Sequence, residues 1–195
     1  MNDPAGCFAQ DKYQVLRSLL KGPLLSLCYR YVMDMAKRGS LSGGAWQMPN
    51  TPSAYGHPLM EMLLERLLPE VERAAALRLY PTYSFFRAYQ RGDSLARHRD
   101  RPACEISLSL SLGYEADAAW PLWIEAPGGV VSVTLEPGDA VLYQGRECFH
   151  WRDAFEGEHA AQVFLHYVDQ NGPYAEWKFD KRPSLGAAQS LLDER

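Results

Sequence analysis

His98 and Asp100, separated by one residue, offer an imidazole and a carboxylate that an extended backbone projects to the same side, so both can ligate one metal ion. Three histidines late in the chain, His150, His159 and His166, can each bring a second imidazole from a different strand. Two imidazoles and one carboxylate take one face of an octahedral ferrous ion and leave the opposite positions open, enough for a bidentate 2-oxo acid and dioxygen. A four-ligand structural site has no such opening. His-x-Asp by itself is weak evidence, since any solvated turn can contain it, and the surrounding pattern has to decide.

The elements that must position these groups change character along the chain. Residues 11 to 38 carry apolar positions at helical spacing (Val15, Leu16, Leu19, Leu20, Leu24, Leu27, Cys28, Tyr31, Met35) and read as two helices or one kinked one around Gly22-Pro23. After a polar, Gly-rich stretch from Gly39 to Tyr55, a second helical region is expected over Pro58 to Leu77, with Pro69 starting a new helix. From Tyr80 the period becomes alternating. Strands are expected over Tyr83 to Tyr89, Glu105 to Leu112, Leu122 to Glu125, Val130 to Leu135, Ala140 to Tyr143 and Ala161 to Val168, divided by Gly-Asp, Pro-Gly-Gly and Pro-Gly-Asp turns. The cleanest is Glu105 to Leu112, where even positions are apolar and odd ones polar, so its even face is expected to be buried. The expected fold is α+β, with N-terminal helices (1–79) packed on a jelly roll (80–180) in a single domain spanning 1–195, a length at which a core forms without disulfides. The tail from Lys181 to Arg195 reads as a loop and a short helix.

Composition narrows the class. A net charge of -4 argues against a protein that lives on nucleic acid, and the short basic runs Arg97 to Arg101 and Lys178 to Arg182 do not reverse that balance. The four cysteines, Cys7, Cys28, Cys104 and Cys148, form no C-x-x-C pair, so neither a zinc ribbon nor a redox motif is present. Met1 to Tyr13 has no basic stretch followed by an apolar one, and Arg30, Asp34 and Glu65 interrupt the apolar segments before membrane-spanning length. No signal peptide, no transmembrane helix and no membrane partner are expected. A cytoplasmic, reducing compartment follows, one in which ferrous iron persists.

The segment Tyr89-Gln-Arg-Gly-Asp-Ser-Leu-Ala-Arg-His98-Arg-Asp100, with Gly138-Asp139-Ala-Val-Leu-Tyr-Gln-Gly145 ahead of His150, resembles the Fe(II)/2-oxoglutarate-dependent dioxygenases of the prolyl 4-hydroxylase-like group over about Tyr80 to Val168. The resemblance implies a double-stranded β-helix with flanking helices and selects His150 over His159 and His166 as the distal ligand, giving His98, Asp100 and His150 as metal-binding and catalytic residues. It implies Fe(II), 2-oxoglutarate as co-substrate, dioxygen, and ascorbate as a stimulant, with hydroxylation of a C-H bond coupled to release of succinate and carbon dioxide. The implied partner is a small-molecule or peptidyl substrate, of amino-acid type.

The sequence departs from the family at the co-substrate anchor. Members usually carry Arg or Lys about ten residues beyond the distal histidine, whereas this chain reads Gly157-Glu158-His159. His159 shares strand parity with Ala161, Val163, Leu165 and Tyr167, an apolar face expected to point inward. A neutral imidazole is a poor carboxylate clamp, so a composite of Tyr89, Arg87 and His159 is expected, with Arg101 and Arg152 as reserves. Two other readings compete: an AlkB-like oxidative demethylase of nucleic acid, which needs a basic groove with stacking aromatics, and a non-catalytic jelly-roll metal-binding protein.

Overall fold

The computed structural model describes residues 7–42, 48 and 50–187. Its strands are β1 (Tyr13–Leu16), β2 (Ser53–Tyr55), β3 (Leu79–Gln90), β4 (Leu95–His98), β5 (Ile106–Glu115), β6 (Leu122–Ala126), β7 (Gly129–Val133), β8 (Ala140–Tyr143), β9 (His150–Arg152) and β10 (His159–Asp169). They form a six-stranded sheet ordered β1-β8-β5-β10-β3-β2 and a four-stranded sheet ordered β4-β9-β6-β7, and every pair is antiparallel. The helices are α1 (Phe8–Asp11), α2 (Gly22–Lys37) and α3 (Pro58–Ala75).

The alternation in β5 explains the layering. Ile106, Leu108, Leu110 and Leu112 join Ala161, Val163, Leu165 and Tyr167 of β10, Phe86 and Ala88 of β3 and the buried stripe of α3 (Met60, Leu63, Leu64, Leu67, Val71) in one apolar cluster. The helices therefore cover the apolar face of the large sheet, and the Tyr167 hydroxyl donates to the Leu64 carbonyl of α3 at 3.0 Å. The other face of the same strands carries Ser107, Ser109, Ser111, Gln162 and His166, all buried too, because the small sheet closes over it. Between the sheets, Tyr13, Val15, Val141 and Tyr143 of the large one pack against Leu122, Ile124 and Val133 of the small one. This is the expected arrangement of helices on a double-stranded β-helix.

Three local expectations are corrected. Tyr13–Leu16, read as helical, is an edge strand paired with β8. Its apolar residues satisfied a helical template over a window too short to separate the two periods. Ser53–Tyr55, placed in the polar linker, adds β2 at the other edge. Pro69 starts no helix but sits inside α3. The apolar stripe runs through it to Val71 and Ala75, and Pro69 is exposed, so water can take the carbonyl it leaves without a donor. The helix expected beyond Lys181 falls mainly outside the described residues. Among the described residues no helix is long and apolar enough to cross a membrane.

The segment after β10 returns across the large sheet and is fixed by charge. Arg182 pairs with Glu61 of α3 with both side chains almost fully buried, and it also donates to the Phe179 and Thr82 carbonyls. Removing one partner of such a pair strands the other as an uncompensated buried charge. Glu61→Ala is expected to cost about 3–5 kcal/mol in chemical denaturation; a loss under about 1 kcal/mol would show that the segment is held by something else.

Candidate metal centre

β4 and β9 are neighbours in the small sheet, and His98 and His150 are direct Cα partners across that pair. Their rings lie 4.3 Å apart between centroids. Asp100 follows on a short loop tied to the end of β8, where its N–H donates to the Gly145 carbonyl at 2.9 Å. Each Nε2, of His98 and of His150, is 3.5 Å from Asp100 Oδ1, so two imidazoles and a carboxylate face one point. The remaining ring nitrogens are engaged: His98 Nδ1 is 2.8 Å from the Ala96 carbonyl and His150 Nδ1 is 3.1 Å from the Cys148 carbonyl. Donation from Nδ1 fixes the tautomer that leaves each Nε2 lone pair free for a metal.

Asp100 is held on its far side as well. Ser107 donates its hydroxyl to Oδ2 at 2.9 Å and lies 3.0 Å from His166 Nδ1. A Cβ at Gly145 would stand 2.2 Å from Asp100 Oδ2 and 2.9 Å from the Ser107 hydroxyl, so only glycine lets the strand pass this close. Burial works to raise the Asp100 pKa, but His150 and His98 outweigh it and hold the carboxyl far below the usual carboxylate range. Burial likewise opposes a charged His98, but Asp100 and the Ala96 carbonyl prevail and shift its pKa upward. The donor set of two imidazole nitrogens and one carboxylate oxygen suits a divalent cation such as ferrous iron.

Beside this cluster the interior is polar. Gln162 is the Cα partner of Arg87 on β3 and of Ser111 on β5, which puts Arg87, and Tyr89 two residues on, on the interior face. Tyr89 is fully buried, edge-on to Trp120 at 4.9 Å, and its hydroxyl has no partner among the described residues. Arg152, two residues after His150, donates to the Trp120 carbonyl at 2.6 Å and to Gln162 Oε1 at 2.9 Å, lies over the Trp120 ring, and is 2% exposed. Among the described residues its Nε has no partner, nor has that of the buried Arg87.

His159 is not part of this set, and the expectation that it faces the pocket is corrected. Its Nε2 lies 2.9 Å from the Tyr29 hydroxyl of α2, the rings stack, and Nδ1 is 3.6 Å from Glu115 Oε2, all on the helix-covered face. His159 does share its face with Ala161, Val163 and Leu165, but that apolar side of β10 meets the helices, and the side with Gln162 and His166 meets the His98, Asp100 and His150 cluster. Arg101 is also withdrawn, since it grips Asp180 with two bonds of 2.6 and 2.7 Å. Arg152, a reserve in the sequence, stands on the chamber side, because a residue two past His150 in a strand shares its face.

No family model matches the chain, and no curated protein does either. Solved structures do match. A Pseudomonas putida prolyl-4-hydroxylase superposes with a TM-score of 0.67 at 16% identity over 83% of this chain and 95% of that one. A Trichoplax adhaerens prolyl hydroxylase, in complex with a hypoxia inducible factor peptide, gives 0.68 at 14% over 84% and 86%. The epimerase SnoN in complex with Fe3+, alpha ketoglutarate and nogalamycin RO gives 0.68 at 15% over 94% and 90%. At such identities the likeness establishes the fold.

His166 stays neutral in this setting. Burial lowers its pKa to about 4 despite the pull of Asp100. Between that value and the ordinary one near 6.5 the unfolded chain binds a proton that the folded chain refuses, so stability falls as the pH drops through this window, by roughly 3 kcal/mol in full. Denaturation of metal-free protein across that range is expected to show the slope in wild type and to lose most of it in His166→Asn. An unchanged slope in the variant would assign the titration to another group.

Proposed function

We propose that the protein is an Fe(II)- and 2-oxoglutarate-dependent oxygenase in which His98, Asp100 and His150 hold the metal. The observation that carries this reading is the convergence of two tautomer-fixed imidazoles and one carboxylate beside a buried guanidinium, Arg152, that has no acidic partner among the described residues. The shared fold supports it, because SnoN carries Fe3+ and alpha ketoglutarate on the same scaffold. When bound, iron and 2-oxoglutarate supply oxidation of a C-H bond by dioxygen with release of succinate and carbon dioxide.

The chain's own groups then have separable tasks. Asp100 and the two histidines take one side of the metal and leave the other to ligands. Ser107 keeps Asp100 from rotating, and Gly145 leaves room for it. Arg152 receives the far carboxylate of 2-oxoglutarate in place of the family's arginine or lysine on the last strand. Its two terminal nitrogens are oriented by Trp120 and Gln162, while the Tyr89 hydroxyl offers a further donor. Burial disfavours the charged Arg152 and shifts its pKa down, so an incoming carboxylate relieves a standing cost. Trp120 and Phe155, in contact with each other and Tyr89, exclude water from this end. The substrate is a small molecule or peptide, and the site is proposed to work in the cytoplasm.

Iron content after anaerobic reconstitution is expected to be one ion per chain and to vanish in His98→Ala, Asp100→Ala and His150→Ala. Succinate is expected from 2-oxoglutarate under aerobic conditions with ascorbate, above a metal-free control. His159→Ala is expected to retain iron and 2-oxoglutarate affinity, and Arg152→Gln to lose at least about tenfold in the latter, the scale for truncating one side of a buried charge-assisted pair. Iron bound with no succinate formed would favour the binding-module reading, and His159→Ala losing 2-oxoglutarate while Arg152→Gln keeps it would restore the anchor to the last strand.

A further inference from the structure

Two buried guanidinium groups, not one, face the interior beside the metal cluster. Arg87 is 5% exposed; among the described residues its Nε has no partner and the rest of the group makes one polar contact, from Nη1 to the thioether of Met48 at 3.2 Å, a weak acceptor. The guanidinium lies 5.1 Å from the centroid of the Phe85 ring, which offers only partial compensation. Among the described residues Arg87 has no acidic partner, and the sequence between Ser42 and Asn50 contains no Asp or Glu. A buried charge left in this state is costly and is retained where a ligand completes it.

The two cations flank the cluster from different strands. Arg152 is on β9, beside His150, and is pre-oriented by two hydrogen bonds to Trp120 and Gln162. Arg87 is on β3, packed on Phe85 and Met48, and is the Cα partner of Gln162, the residue that Arg152 bonds. In the oxygenase reading on which this inference rests, Asp100 and the chelating end of 2-oxoglutarate face the metal, and the far carboxylate is matched by Arg152. Arg87 is then a positive charge without a counterpart. We propose that Arg87 is the specificity residue for the prime substrate, and that this substrate carries a carboxylate, seated on the Arg87 guanidinium between Phe85 and Met48. A guanidinium offers that group a two-toothed contact that an amide cannot mimic. A site built around a charged donor rejects an analogue that leaves it unmatched far more strongly than an apolar pocket rejects a missing methylene.

The test uses the full chain loaded with Mn(II), which holds 2-oxoglutarate without turnover. Calorimetry of 2-oxoglutarate on wild type, Arg152→Gln and Arg87→Gln is expected to show at least about a tenfold loss in the first variant and less than about threefold change in the second. The substrate probes are free amino acids and short peptides, each offered as the C-terminal acid and as its primary amide. Acids are expected to raise the thermal midpoint of the Mn(II)/2-oxoglutarate complex of wild type where their amides do not. The difference is expected to vanish in Arg87→Gln and to survive in part in Arg87→Lys. Without ligands Arg87→Gln is expected to melt no lower than wild type, because an uncompensated buried charge has been removed, whereas loss of a structural arginine would lower the midpoint by several degrees. Equal loss of 2-oxoglutarate affinity in the two Gln variants would make Arg87 part of the co-substrate clamp and overturn the inference, as would acids and amides that act alike on wild type. If wild type took up no 2-oxoglutarate while still telling acids from amides through Arg87, the oxygenase reading would fail and the carboxylate site would stand.

Discussion

The structure depends on how β5, β10 and β3 divide their two faces. One side of these central strands is apolar and is covered by α2 and α3, so the sheet gains its main hydrophobic burial outside the jelly roll. The other side can then carry serines, a glutamine, a histidine and an arginine into a closed interior, because it is not called upon to supply most of the core. Buried polar groups are tolerated where they are bonded, and Ser107, Gln162 and His166 are. The helices and the site are thus coupled: without a helical cover, the apolar face of β10 would have to turn inward and no polar chamber would exist.

Within that chamber the metal cluster comes from backbone pairing more than from loop geometry. His98 and His150 are opposed residues of two neighbouring strands, so the ladder sets their separation before any metal arrives. Asp100 is the part that needs help, since it lies past the end of β4. Its N–H on the Gly145 carbonyl, the Ser107 hydroxyl on Oδ2 and the missing Cβ of Gly145 fix it from three sides. Preorganisation of this kind lowers the reorganisation that binding would need and explains why the last residue of the Gly138 to Gly145 strand motif matters although it offers no side-chain donor to the site.

Much of this was legible in the sequence, and the failures share a cause. The period-2 run of β5, the turns around the later strands and the pairing of His98 with Asp100 are local properties, and local reading recovered them. Which face of a strand meets solvent, helix or chamber is not local. The apolar side of β10 suggests an inward face and with it His159 at the co-substrate anchor, whereas His159 is bonded to Tyr29 beneath α2. The same gap keeps Arg152 a reserve in the sequence: its parity with His150 is legible there, but its lack of an acidic partner among the described residues appears only once the strands are assembled. Leu16 and its neighbours failed for a different reason, since four residues cannot distinguish a helical from an extended period, and the edge of the large sheet decided the matter.

Charge balance is where the fold and the chemistry meet. Two arginines of the fold are matched by acids: Arg182 is buried against Glu61, and Arg101 is clamped by Asp180, which also receives the Tyr55 hydroxyl at 2.5 Å. Among the described residues Arg87 and Arg152 have no acidic partner, and both are buried more deeply than Arg101. Arg87 and Arg152 face the polar chamber with no acidic partner among the described residues, and an anion entering the chamber would offset the cost of burying them. The stability forgone there is the counterpart of binding energy, because the same guanidinium that destabilises the empty chamber is the one an incoming carboxylate can neutralise.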